Sequence, residues 1–238
     1  MILERVGSAL FDENCYVIAA GTGQPAVVVD PGVGSAAAVA AVLARHQLFV
    51  GVVLLTHGHP DHVWDAAAVA GERPVLVPSP DLYRMDDPLA GLGALGDLTG
   101  MLGPWQRPVG IETIADGLFH GGGAEVVPGV VVRSLPAPGH TEGSTIHFLA
   151  GTWPDDGAAW ANATGGRENQ VVALTGDVIF RGSVGRTDLP GGDDDVMAWT
   201  LRTLRQVIEP GTWLLPGHGP ATTMAHELAT NPFLATRR

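Results

Sequence analysis

LLTHGHPDHVWD, residues 54–65, is the stretch on which the reading of this chain turns. It places His57, His59, Asp61 and His62 within six positions, directly behind the apolar run VGVVLLTH (50–57). A continuous apolar run of this length reads as a strand covered on both faces. Burying so many polar side chains behind it is costly unless each finds a partner. A metal ion is the partner that imidazole and carboxylate share. His57 and His59 are separated by one residue, so in an extended segment both point the same way. Asp61 and His62 stand where the chain turns into a helix, with Pro60 at its start, and aim elsewhere. One ion could not easily take all four groups from so short a loop, whereas two ions side by side could.

Three further places repeat one feature of this stretch. APGHT (137–141), TGDV (175–178) and PGHG (216–219) each put a metal-capable residue just after a strand and beside glycine. Strand ends give functional groups a rigid base, and glycine lets backbone pass close to a ligand. With the first cluster, His140, Asp177 and His218 make a set of five histidines and two aspartates. Each ion needs about four to five ligands, mostly imidazole and carboxylate. The set suffices for two ions with a shared water if one carboxylate bridges, and Asp177 is the natural bridge because it arrives alone from a separate strand. His46, His120, His147 and His226 stand singly and read as core or surface residues. Cys15, the only cysteine, reads as buried.

The flanking chain supplies strands and helices. CYVIAA (15–20), AVVVDPG (26–32), PVLVPSP (74–80), STIHFLAG (144–151), QVVALTGD (170–177) and TWLLPGHG (212–219) read as strands. AEVVPGVVVRSLPAPGH (124–140) reads as a hairpin turning at Pro128-Gly129. SAAAVAAVLARH (35–46) is an alanine-rich helix with Ser35 as its N-cap. Helices are also expected over 61–70, over 193–210 with acidic residues in the first turn, and over 224–234, stopping near Asn231-Pro232. Residues 86–123 read as a loop or lid with little regular structure, and 152–169 as an exposed insertion whose Trp153 and Trp160 are candidates for lining a pocket, as is Phe180.

Composition removes several classes of function. The chain has 238 residues and a net charge of −12, and all 13 of its cations are arginine. Lysine Schiff-base and lysine-nucleophile mechanisms are therefore excluded. The acidic balance disfavours nucleic acid as a partner, since that affinity rests on a basic footprint. The start has no basic segment followed by an apolar core, and no run of about 18 apolar residues occurs. A cytoplasmic protein with no membrane partner is expected.

THGHPDH (56–62), PGHT (138–141), TGDVIF (175–180) and PGHG (216–219), in that order, resemble the metallo-β-lactamase-fold hydrolases, and within them the small glyoxalase II-like (hydroxyacylglutathione hydrolase-like) group. NCY (14–16), VDPG (29–32), FRGSVGRTDLPGG (180–192) and NPFL (231–234) match that group too. The resemblance spans nearly the whole chain. It implies one α/β domain over 1–238, a four-layer αββα sandwich of two mixed sheets with helices outside and a metal site at one edge. It implies that His57, His59 and His140 hold one ion, that Asp61, His62 and His218 hold a second, and that Asp177 bridges. The cofactors expected are two divalent ions, zinc first, with iron or manganese as alternatives.

The activity expected is hydrolysis of a 2-hydroxyacyl thioester, such as S-lactoylglutathione, by a metal-bridging hydroxide that Asp61 can orient. Arg186, in a Gly-rich loop shortly after Asp177, is the candidate contact for a substrate carboxylate. Pro60 stands where alanine is usual in related thioesterases, which stiffens the loop without removing a ligand. The sequence ends without the helical extension by which larger glyoxalase II enzymes grip glutathione, so the thiol carrier is open. A mononuclear iron persulfide dioxygenase using His57, His140 and Asp177 is the alternative, followed by a lactonase. A Cys-ligand β-lactamase is disfavoured by Asp177.

Overall fold

The computed structural model describes residues 1–95, 102–153 and 170–234. Two six-stranded sheets dominate it. The first contains β1 (Ile2–Gly7), β2 (Asn14–Ala19), β3 (Pro25–Val29), β4 (Phe49–Leu54), β5 (Val75–Val77) and β6 (Ile111–Thr113), neighbours in chain order. β1–β2–β3 are antiparallel, and β3–β4–β5–β6 run parallel. The second sheet takes β7 (Ala124–Val127), β8 (Val130–Pro136), β9 (Thr145–Gly151), β10 (Gln170–Gly176), β13 (Trp213–Pro216) and β14 (Thr222–Thr223). Its one parallel pairing is β10 with β13; the others are antiparallel. Between β10 and β13, β11 (Ile179–Phe180) and β12 (Ser183–Val184) form a small hairpin.

The period-two alternation of strands builds two cores at once. In β2, Tyr16 and Ile18 point into the space between the sheets, while Cys15, Val17 and Ala19 point to the outer face. β3 repeats this, with Val27 and Val29 inward and Ala26 and Val28 outward. Leu149, Val172 and Leu174 meet them from the second sheet. On the outer face of the first sheet lie helices α1 (Ala36–Arg45), α2 (Pro60–Val63) and α3 (Ala66–Ala70), using Val39, Val42, Val63 and Ala66. On the other side, α4 (Asp194–Val207) and α5 (Met224–Thr230) bury Met197, Leu201, Leu204 and Met224 against the second sheet. The result is the expected αββα order.

Several local expectations change. The helix expected over 61–70 breaks at Trp64 and Asp65, where the Asp65 N–H is drawn to the Pro31 carbonyl at 3.0 Å. The Asp65 carboxylate accepts from the Ala36 N–H at 2.8 Å. It thus does the work expected of Ser35, whose hydroxyl makes no capping bond and is buried without a partner. The strand expected at 74–80 shortens to three residues, and a 3-10 turn takes over at Ser79–Met85. The expected lid region contains a further 3-10 stretch, Pro88–Leu95, and the edge strand β6, whose mostly exposed residues leave no apolar pattern to detect. β1 and the β11–β12 hairpin are likewise unanticipated. Trp153 is buried in the inter-sheet core and donates to the Gln170 carbonyl at 3.0 Å, so it lines no surface pocket. The rest of the expected insertion, 154–169 with Trp160, lies outside the described residues.

Candidate metal centre

The sequence-derived candidates converge at one edge of the sandwich. β4 ends at Leu54 and leads into the loop bearing His57 and His59; β10 ends at Gly176, before Asp177; β13 ends at Pro216, before His218. His140 follows β8 in the loop to β9. Hydrogen bonds across the sheets hold these ends together. Asn14 Nδ2 donates to the carbonyls of Pro216 (2.9 Å) and Gly219 (2.8 Å), Tyr16 Oη donates to Pro216 O (2.8 Å), and Thr145 N–H donates to Thr56 O (2.9 Å).

Two half-sites result. His57, His59 and His140 bring one ligand-capable atom each within 4.8 Å of one another; Asp61, His62 and His218 do the same beside them. His59 Nδ1 and His140 Nε2 are 2.8 Å apart, and His218 Nε2 is 3.2 Å from Asp61 Oδ2. Asp177 touches both halves: Oδ1 lies 3.2 Å from His62 Nε2, and Oδ2 lies 3.7 Å from His140 Nε2 and 3.6 Å from His218 Nε2. All seven side chains that the sequence singled out as metal-capable are therefore in one cluster.

The outer atoms of four of the five imidazoles are fixed, while His59 Nε2 is buried without a hydrogen-bond partner. Nδ1 of His57 contacts Thr56 Oγ1 (3.0 Å), that of His62 contacts Asp30 Oδ2 (3.0 Å), that of His140 contacts Arg186 O (2.7 Å) and that of His218 contacts Phe11 O (3.1 Å). With Nδ1 occupied, Nε2 of these four rings is left for the interior, and His59 offers Nδ1 there instead. Orienting one ring nitrogen so that the other can ligate is how proteins prepare metal-binding histidines. Nε2 of His57 and His62, and Asp177 Oδ1, are buried without a hydrogen-bond partner. The short His62–Asp177 contact is thus not aligned as a hydrogen bond. Buried orphans are costly, and a cation would satisfy these. Imidazole with carboxylate suits first-row divalent metals.

Electrostatics divides the cluster. Burial, then the neighbouring imidazoles, push His57 well below the usual histidine range; burial and then His140 bring His59 down to about 3. Both shifts favour the neutral ring, the form in which imidazole ligates a metal. Burial opposes charge on His62 and His218 as well, but Asp177 and Asp61 outweigh it and raise both. Burial disfavours the Asp177 carboxylate, yet His62, then His140 and His218, hold it well below the ordinary carboxylate range. The carboxylates thus draw positive charge into the second half.

Glycine is required where these groups pack tightest. A Cβ on Gly217 would collide with Asp177 Oδ1 and the His62 ring, and one on Gly185 with the Asp177 carbonyl. The loop before β2 is strained for the same site: Phe11 and Asp12 have φ of +69° and +53°, and this turns the Phe11 carbonyl toward His218.

Asp61, Asp177, His59 and His140 open into a cavity of about 200 Å³ walled by Phe11, Leu92 and Leu189, with Arg186 at its rim. Arg186 is half exposed and pairs with Asp188. Phe180 stands beside His218, ring centroids 5.9 Å apart. A larger cavity, about 400 Å³, lies on the outer face of the second sheet beside Val131, Phe148 and Ile208 and holds none of the candidate residues. The smaller one holds the convergent polar groups, which mark a candidate site better than volume does.

Sequence reasoning missed the supports. Asp30 also accepts from the Thr56 N–H (2.7 Å) and hydroxyl (2.6 Å); VDPG marked its position without its role. Asp81, fully buried, accepts from Gly58 N–H (2.8 Å), Thr141 Oγ1 (2.8 Å) and Gly143 N–H (2.7 Å), joining the His57–His59 loop to the His140 loop. No motif surrounds it. Glu13 is buried 3.9 Å from His62, with neither oxygen hydrogen-bonded, and burial pushes its carboxyl well above the ordinary range. The single histidines behave as expected: His46 pairs with Glu4, His147 is a bonded core residue, and His120 and His226 are exposed. Cys15 is buried.

Residues 9–149 match the family model Metallo-beta-lactamase superfamily, and the chain belongs to that family of metallo-hydrolases. It is 28% identical over 243 residues to the hydroxyacylglutathione hydrolase GloC of Haemophilus influenzae, covering 100% of both chains. Among solved structures, the B3 metallo-β-lactamase BLEG-1 aligns with a TM-score of 0.74 at 26% identity, over 98% of this chain and 99% of the other. TTHA1623 in a di-iron-bound form aligns with a TM-score of 0.71 at 29% identity, over 97% and 100%. No helix among the described residues is long and apolar enough to cross a membrane.

Proposed function

We propose that this metallo-hydrolase cleaves a 2-hydroxyacyl thioester of the S-lactoylglutathione kind at a dinuclear centre. His57, His59 and His140 would hold one divalent ion, Asp61, His62 and His218 a second, and Asp177 would bridge. Zinc is the first candidate, with iron and manganese as alternatives. The observation that carries the reading is the Asp177 carboxylate within 3.2 Å of one half-site and 3.7 Å of the other. The similarity to GloC points to the thioester, and the di-iron form of TTHA1623 to two ions. Bound ions would supply Lewis acidity and lower the pKa of a water from 15.7 to about 7.

The chain's own groups do the rest. Asp61, on the cavity wall, orients the attacking water and holds its proton. Phe11, Leu92 and Leu189 enclose the acyl group and keep bulk water from it. Arg186 receives a carboxylate of the substrate. No side chain need act as general acid toward the leaving group, because a thiol with pKa of about 8.5 departs readily as thiolate.

Metal analysis joined to a panel of acyl thioesters, a lactone and a β-lactam on the same preparation tests this. The expected result is about two ions per chain and cleavage of the thioesters, lost in His57→Ala. A fully metallated protein that cleaves no thioester overturns it. One iron per chain with oxygen uptake on glutathione persulfide would establish the dioxygenase instead.

A further inference from the structure

Arg186 divides its main chain and side chain between two tasks. Its carbonyl oxygen accepts from His140 Nδ1 at 2.7 Å. Its guanidinium takes both oxygens of Asp188, with Nε–Oδ1 at 2.6 Å and Nη2–Oδ2 at 2.7 Å. The pair is exposed, 51% for Arg186 and 67% for Asp188. Arg186 stands on the rim of the cavity that holds His59, Asp61, His140 and Asp177, and it is the one arginine among the described residues lining it. Bound ions would offset Asp61 and Asp177 at the base of the cavity, and on a chain of net charge −12 Arg186 supplies a cation at its rim for a second anionic group of the substrate.

An exposed ion pair contributes little stability, so its carboxylate can be exchanged for another at small cost. The planar guanidinium fork accepts any carboxylate in the same bidentate way. The cavity's 200 Å³ suits a small acyl group next to the cluster, which leaves the thiol half at the half-exposed rim. We propose that Asp188 is a built-in carboxylate that holds Arg186 ready and is displaced by a carboxylate on the thiol half of the substrate, so that the Arg186–Asp188 pair selects anionic thioesters. This rests on the thioester reading above.

The test compares S-lactoylglutathione with its diethyl ester, in which both carboxylates are masked. The quantity read is the preference for the acid, the ratio of the two kcat/KM values. Arg186→Ala keeps the carbonyl that holds His140, so its preference falls about tenfold or more, through KM rather than kcat. Asp188→Asn removes the competitor, so its preference rises, by up to about fivefold. An unchanged preference in both variants overturns the proposal. So does a fall in Asp188→Asn that parallels Arg186→Ala, because Asp188 would then only position the arginine. Calorimetric binding of S-methylglutathione, a thioether that cannot be cleaved, gives the same ranking without turnover. If that ranking holds while no thioester is cleaved, the pair stands and the thioester reading fails. If thioesters are cleaved with a fixed preference, the pair fails alone.

Discussion

Asp81→Asn separates a clamp from a bystander. Asp81 sits fully buried beneath the cluster, and its oxygens satisfy the Gly58 N–H, the Thr141 hydroxyl and the Gly143 N–H at 2.7–2.8 Å. The buried Arg84 Nε lies 3.5 Å away. Asparagine keeps the shape but turns one oxygen into a donor. If the NH₂ replaces Oδ1, it faces the Gly143 N–H; if it replaces Oδ2, it faces the Gly58 N–H and the Thr141 hydroxyl. Either orientation leaves at least one buried donor unsatisfied and weakens the remaining bonds by removing the charge. A hydrogen bond to a charged group is worth about 1.5–3 kcal/mol, and an orphaned buried donor costs about 1–3 kcal/mol. Arg84 also loses a buried counter-charge and keeps its pair with Glu142. These terms span about 2.5–6 kcal/mol, and breaking a buried ionic contact costs about 3–5 kcal/mol, which is the loss expected. For a chain of 238 residues, about 2–4 °C of Tm accompanies each kcal/mol. Thermal unfolding of Asp81→Asn should therefore come about 6–20 °C lower, with the urea midpoint lowered and the m-value unchanged. A drop under about 3 °C would refute the clamp and the arithmetic with it.

Three further outcomes are expected. Burial holds the His147 imidazole down to about 4, neutral, with Nε2 donating to Leu55 O and Nδ1 facing the Ser134 hydroxyl. Because the folded value lies below the unfolded one, this contribution is complete above about pH 6.5 and is lost as pH falls toward 4, by at most about 1.4 kcal/mol per pH unit. His147→Gln should flatten the acid limb of stability against pH in denaturant titrations, and identical limbs count against it. Asp30→Asn, which loosens His62 Nδ1, should weaken metal retention roughly 10–100-fold in chelator competition; equal retention would remove Asp30 from the support of the site. Burial, with Glu13 and Asp30 nearby, pushes the Cys15 thiol well above its usual range, so a thiol reagent should label it only as fast as the protein unfolds. Prompt labelling of the native protein would contradict that burial.

What could be read without the fold was what short-range rules encode. The two-residue spacing of His57 and His59 already separated them from Asp61 and His62, because the direction of a side chain follows from local backbone geometry. The strands β2, β3, β4 and β10 were visible because burial on both faces demands continuous apolar residues. The acidic start of α4 was visible because Asp193 caps it from within three residues, accepting from the Val196 N–H at 2.9 Å. Where a local rule met a distant competitor, it gave way. Ser35 is well placed to cap α1, but Asp65, 30 positions later, supplies the acceptor and in the same place ends the helix begun at Pro60. β1 and β6 exist because a neighbouring strand offers hydrogen bonds, not because their own residues alternate cleanly.

The site shows the same division. Residue types and order named the seven metal-capable side chains that converge, though not Asp30 beside His57 and His62, since chemistry resides in the side chain. Only the stacking of two sheets brings Asp177, 120 positions after His57, into contact with both half-sites. Only that stacking places Asp81 under two loops at once. Hydrogen bonds and ion pairs of this kind depend on distances across the core, which no short window of sequence contains.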